Sequence, residues 1–114
     1  MTIDIYGIPT CGTVKKARKW LTEQGLDHNW VDFRKTPPSK EQVKTWVEAL
    51  GAKAMRNTSG GAYRALPPAK KEWDEATWLG LFAEDPMLIK RPILEIDGVP
   101  KAVGFKQPIW EQLL

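Results

Sequence analysis

The stretch Thr2-Ile3-Asp4-Ile5-Tyr6-Gly7-Ile8-Pro9-Thr10-Cys11-Gly12-Thr13 decides the fold. Its first half alternates Ile3 and Ile5 with polar neighbours, the period of a strand with one buried face, and Gly7 and Pro9 then turn it into a loop. From Gly12 the period changes. Val14, Ala17, Trp20 and Leu21 recur at helical spacing, Lys15, Lys16 and Lys19 lie off that stripe, and Gly25 is the candidate C-cap. A strand running through a short loop into a helix sets Cys11 at the helix head.

Outward from there, His28 to Phe33 reads as a second strand, with Trp30 interleaved among Asn29, Val31 and Asp32. Two strands joined by a helix predict a right-handed βαβ unit. Pro37-Pro38 ends the extended segment, and Ser39 with Gln42 has the spacing of a capping box. Val43, Trp46, Val47 and Leu50 follow at i, i+3, i+4 and i+7, and Gly51 closes that helix. Asn57 to Gly61 reads as a loop, Tyr63 to Leu66 as one helical turn, and Trp78, Leu81 and Phe82 as a helix capped by Asp74. After Arg91-Pro92, Ile93 to Ile96, the turn Asp97-Gly98 and Lys101 to Gly104 predict a β-hairpin. Gln107-Pro108 opens a short final helix. The expectation is an α/β protein: a mixed four-stranded sheet flanked by helices, in one domain over residues 1–114.

Composition narrows the function. With 114 residues, 42% hydrophobic and 27% charged, the chain has the balance of an ordinary globular domain with one core. No apolar run approaches the ~20 residues of a spanning helix, and the start lacks the pattern of a signal peptide, so the expectation is a cytoplasmic protein without a membrane partner. A single cysteine forbids an internal disulfide, and together with a single histidine it falls short of a structural zinc set; no metal is expected. The net charge of +3 is spread over short groups such as Lys15-Lys16, Lys70-Lys71 and Lys90-Arg91. No groove-reading motif accompanies them, so no direct nucleic-acid partner is expected.

Chemistry therefore falls on Cys11. The first N–H groups of a helix are unpaired and its dipole is positive there, and both favour thiolate over thiol. Thr10 and Thr13 offer hydroxyl hydrogen bonds, Lys15 adds positive charge, and Gly12 lets a substrate approach the sulfur. His28 reads as a satisfied or surface histidine, and Tyr6 and Tyr63 as packing residues with a hydroxyl at the surface.

Tyr6 to Thr13 followed by Lys15-Lys16-Ala17-Arg18-Lys19-Trp20-Leu21 resembles the start of the arsenate-reductase-like family (ArsC, Spx and YffB). Val31-Asp32-Phe33-Arg34, Asn57-Thr58 with Tyr63-Arg64, Ile89-Lys90-Arg91-Pro92-Ile93 and Val103-Gly104-Phe105 continue the match in order, with the YffB-like branch most similar. The resemblance implies a thioredoxin-like fold, a helical insertion at about residues 37–90, and a cis proline at Pro92 beside the cysteine. It also implies three functions to choose among: arsenate reductase, RNA-polymerase-binding regulator, and glutathione-dependent thiol reductase.

Departures from the family pattern discriminate. Family arsenate reductases hold the oxyanion with a cysteine and three arginines; here Cys11 and Arg91 match, but Ser59, with Arg56 nearby, and Gly104 stand at the other two positions. A doubly charged oxyanion needs several bidentate donors to leave water. Redox-switching regulators carry a second cysteine three residues on, where this chain has Val14. The expected function is a monothiol reductase with no bound cofactor and glutathione as co-substrate, acting on thiol or disulfide partners. Cys11 is its nucleophile and Arg91 its anion-binding catalytic residue. Thr10, Gly12, Thr13, Lys15, Arg64 and Pro92 are its substrate-binding residues. An RNA-polymerase-binding regulator and a weak arsenate reductase are the alternatives.

Overall fold

The computed structural model describes Met1–Leu114 and contains four strands and six α-helices: β1 (Ile3–Gly7), α1 (Gly12–Glu23), β2 (Asn29–Asp32), α2 (Lys40–Leu50), α3 (Ala52–Met55), α4 (Gly61–Arg64), α5 (Glu75–Glu84), β3 (Ile93–Ile96), β4 (Val99–Val103) and α6 (Gln107–Leu113). The chain divides into two compact units, Met1–Pro37 with Arg91–Leu114, and Pro38–Lys90. The second occupies the stretch read as the helical insertion.

The first unit holds the sheet, in the order β2-β1-β3-β4. β1 pairs parallel with β2, from Asp4 opposite Asn29 to Gly7 opposite Asp32, and antiparallel with β3, from Ile3 opposite Ile96 to Tyr6 opposite Ile93. This is the mixed four-stranded sheet of the thioredoxin-like fold. Because side chains alternate along a strand, Ile3 and Ile5 share one face with their partners Ile96 and Leu94. Ala17, Trp20 and Leu21 of α1 and Trp110 of α6 close a core over that face. Phe105 and Trp110 meet edge to face at 4.9 Å, and Trp20 meets Trp110 the same way at 6.4 Å.

Local chemistry sets the ends of these elements. At the end of α1, Leu26 N–H reaches the Leu21 carbonyl at 2.9 Å and Gly25 N–H the Thr22 carbonyl at 3.0 Å, the two bonds of a Schellman stop with Gly25 at φ +71°. The second strand is shorter than His28 to Phe33. His28 turns its ring to Arg18, and beyond Asp32 the chain folds back, Lys35 and Thr36 both donating to the Asp32 carbonyl. The hairpin forms on Asp97 (φ 51°) and Gly98 (φ 78°), a two-residue turn with positive φ at both positions. Its ladder shifts register between Leu94, opposite Ala102, and Glu95, opposite Pro100. Lys101 is the extra residue, next to a proline that has no N–H to donate.

In the second unit, Ser39 Oγ accepts the Gln42 N–H at 3.1 Å and Asp74 Oδ1 accepts the Thr77 N–H at 2.9 Å, capping α2 and α5 as their sequences predict. Trp78 is the centre of this unit, fully buried, with Tyr63 stacked at 6.0 Å, Trp73 edge-on at 5.6 Å and Phe82 at 5.6 Å. The turn predicted at Tyr63 to Leu66 begins two residues earlier, at Gly61, because Gly60 N–H bonds the Asn57 carbonyl and closes the loop there. Lys70 Nζ sits 4.4 Å over the Tyr63 ring and donates to the Tyr63 carbonyl at 3.1 Å. No helix of either unit is long and apolar enough to cross a membrane.

Candidate active site

Gly7 ends β1, and its carbonyl accepts the Phe33 N–H at 2.7 Å, carrying the parallel pairing one step past β2. The loop that follows turns tightly, Cys11 N–H reaching back to the Ile8 carbonyl at 3.3 Å, and the Cys11 carbonyl then accepts the Lys15 N–H at 3.1 Å. Cys11 is thus the N-cap of α1, extended at φ −76° and ψ 122°. Its side chain makes no capping hydrogen bond, and the first turn of α1 carries no acidic residue. The sulfur is not tied to its own helix, and no carboxylate of the first turn opposes the positive end of the dipole. Cys11 is half-buried and has no second cysteine.

The first unit holds all but one of the other residues expected of a site. Thr10, Gly12, Thr13 and Lys15 are exposed on the loop and the first turn, and a Cβ placed on Gly12 would meet nothing within 4 Å. Arg91 is half-buried and joined to Pro92 by a cis peptide bond, as the resemblance implied. Its Cβ and Cγ lie 3.4 Å from where a Cβ on Gly7 would sit, so Arg91 lies against the end of β1, and it is Val14 Cγ2, only 2.8 Å from that position, that requires the glycine. Pro92 is buried, and its carbonyl accepts the Gly104 N–H at 2.8 Å. With no N–H of its own, Pro92 can contribute shape rather than hydrogen-bond donation. Arg64 lies in the other unit, exposed at the end of α4.

At the two positions where the resemblance implies arginine, the chain has Gly104 and Ser59. Gly104 stands at φ +77°, a conformation that side-chain-bearing residues rarely adopt, and is tied at both ends: its N–H to Pro92, its carbonyl to Trp110 Nε1 at 3.2 Å. In the second unit Ser59 is exposed, while the guanidinium of nearby Arg56 stacks 4.5 Å over Trp78.

Arg34 is a residue the sequence reading did not single out. Its N–H bonds Asp32 Oδ1 at 2.8 Å, and its Nη2 donates to Thr10 Oγ1 at 3.4 Å. A second cation therefore reaches the loop of Cys11. The signal lay in the parallel register, because residues just after Asp32 must emerge beside residues just after Gly7. Tyr6, expected to send its hydroxyl to the surface, instead donates it to Glu95 Oε1 at 3.1 Å, and Glu95 is the one buried charged residue of the chain. His28 is satisfied: its Nε2 accepts from Arg18 Nε at 3.2 Å. Burial, and then the Arg18 cation, lower its pKa from 6.5. No three His, Cys, Asp or Glu side chains converge as metal ligands.

The sheet is that of a thioredoxin-like fold, with a thiol at the head of α1. The chain belongs to the ArsC family, whose model matches residues 6–113. It is 43% identical over 116 residues to the uncharacterized protein YusI of Bacillus subtilis, covering 98% of each chain. An arsenate reductase of Yersinia enterocolitica is 27% identical over 94 residues, covering 81% of this chain and 67% of that one. Among solved structures, the YFFB (PA3664) protein superposes with a TM-score of 0.88 at 35% identity over 97% of both chains. The chain is thus an arsenate-reductase-like protein of a redox family.

Proposed function

We propose that this protein is a glutathione-dependent thiol–disulfide reductase of the cytoplasm, with Cys11 as its nucleophile. The observation that carries the reading is the state of Cys11: a lone thiol, part-exposed, at a helix N-terminus with no acidic residue and no capping bond to the sulfur. The thiolate attacks a disulfide R–S–S–R′, forming Cys11–S–S–R and releasing R′ as a thiolate that takes up a proton. One glutathione thiolate displaces R as its thiol, leaving glutathione on Cys11; a second displaces oxidised glutathione and restores the Cys11 thiolate. Two electrons pass from two glutathiones to the substrate. The external thiol is required because the chain has no second cysteine.

Arg91, held against Gly7, is the anion-binding residue for a glutathione carboxylate, and the space at Gly12 admits the substrate sulfur. Arsenate fits less well, since Gly104 at φ +77° and Ser59 replace two of the three arginines that family arsenate reductases use. The test is mass spectrometry after incubation with oxidised glutathione. A single glutathione adduct on the wild type, absent from Cys11→Ser and removed by reduced glutathione with release of oxidised glutathione, is expected. No adduct, or turnover that survives Cys11→Ser, overturns the reading.

A further inference from the structure

A groove of about 250 Å³ starts at the Cys11 loop and runs along the flank of α1. Pro9 and Lys15 form its near end, Arg18 and Lys19 its middle, and Thr22 and His28 its far end. All of these residues belong to the first unit. Lys15, Arg18, Lys19 and Thr22 are spaced i, i+3, i+4 and i+7, so they share one face of the helix. Their span along the axis is about 10 Å.

Its charge is one-sided. None of Lys15, Arg18 and Lys19 has a carboxylate within ion-pair distance. Arg18 is moreover held in place without an acidic partner, its Nε donating to His28 Nε2 at 3.2 Å and its guanidinium lying 4.6 Å from the Trp30 ring centroid. Because that bond uses Nε, the outer face of the guanidinium stays available to a bidentate acceptor. A fixed arginine between two exposed lysines suits an extended anionic segment better than a lone ion. About three residues of extended peptide cover 10 Å, and alternate side chains would fall on the cations.

We propose that this groove receives an acidic segment next to the target cysteine of a protein disulfide substrate. The proposal rests on the reductase reading for the chemistry at Cys11, and adds the substrate class: peptides glutathionylated at a cysteine flanked by Asp or Glu. Reduction follows the exchange given above: the Cys11 thiolate takes the glutathione, the peptide leaves as its thiol, and free glutathione releases oxidised glutathione.

The test uses two glutathionylated peptides, one with glutamates and one with lysines at alternate positions beside the cysteine. Binding is measured by fluorescence anisotropy with Cys11→Ser protein, and reduction with the wild type. Expected are an affinity for the acidic peptide about ten-fold above the lysine peptide, shrinking as salt rises, and a lower KM at similar kcat. Lys19→Glu should weaken acidic-peptide binding about five-fold, from lost attraction and added repulsion. Lys16→Glu, the same charge change outside the groove, should leave it nearly unaltered. Equal affinities, or equal effects of the two substitutions, overturn the groove while reduction of both peptides keeps the reductase. Acidic preference without reduction supports the groove and overturns the reductase reading.

Discussion

Gly7 and Val14 are built around each other: Val14 Cγ2 would lie only 2.8 Å from the Cβ that Gly7 does not have, while the Arg91 stem, at 3.4 Å, stands at ordinary contact distance. This contact joins the end of β1, the first turn of α1 and the residue before cis Pro92. Gly7→Ala must displace Val14, which is fully packed. The expected cost is about 1–3 kcal/mol of overpacking, read as a lower urea midpoint, with a changed alkylation rate of Cys11 because Val14 belongs to the first turn of α1. An unchanged midpoint together with an unchanged alkylation rate would show the contact to be soft.

Gly12 makes the opposite prediction. A methyl there meets nothing, so Gly12→Ala should alter stability by less than about 1 kcal/mol, and Ala is the better helix former. The same methyl fills space beside Cys11. Alkylation by a small reagent should hardly change, while reduction of a bulky disulfide slows. Comparing the two rates on one preparation checks this; equal slowing of both would place the methyl's effect elsewhere.

His28 gives a pH dependence with a definite sign. Its folded pKa is lowered by burial and by Arg18, so below 6.5 the unfolded chain takes up a proton that the fold resists. The contribution to stability is complete above 6.5 and is lost as the pH falls toward the folded pKa. It also breaks the Arg18 bond, because a protonated Nε2 cannot accept. Urea titrations across this interval should show the wild type losing stability relative to His28→Gln. Parallel pH curves would contradict it.

Trp110 ties the core to the site through its bond to the Gly104 carbonyl, while Gly104 holds Pro92. Trp110→Ala should cost about 3–5 kcal/mol as a cavity. Trp110→Phe keeps much of the volume but strands a buried carbonyl, at about 1–3 kcal/mol. The informative readout is the alkylation rate of Cys11 in Trp110→Phe, expected to rise or fall by more than in a comparably destabilised Val43→Ala, whose site lies in the other unit.

Much of this protein was legible before folding. The change of period at Gly12, the cap residues Ser39 and Asp74 and the Asp97-Gly98 turn are local signals, each depending on residues within a few positions, and each formed as read. Cys11 was legible for the same reason, since a helix head is a local object. Contacts that join distant parts of the chain were not. Nothing within reach of Arg34 in sequence points to Thr10; only the register of β1 on β2 brings them together. The positive φ of Gly104 needed Pro92 and Trp110, and the groove needed α1 to meet His28. By itself the sequence determined where most elements lie and that the one thiol stands at a helix head, because both follow from periodicity and helix ends. The tertiary structure alone decided what surrounds that thiol, because a neighbour across a sheet is set by pairing and packing, which no short window of residues contains.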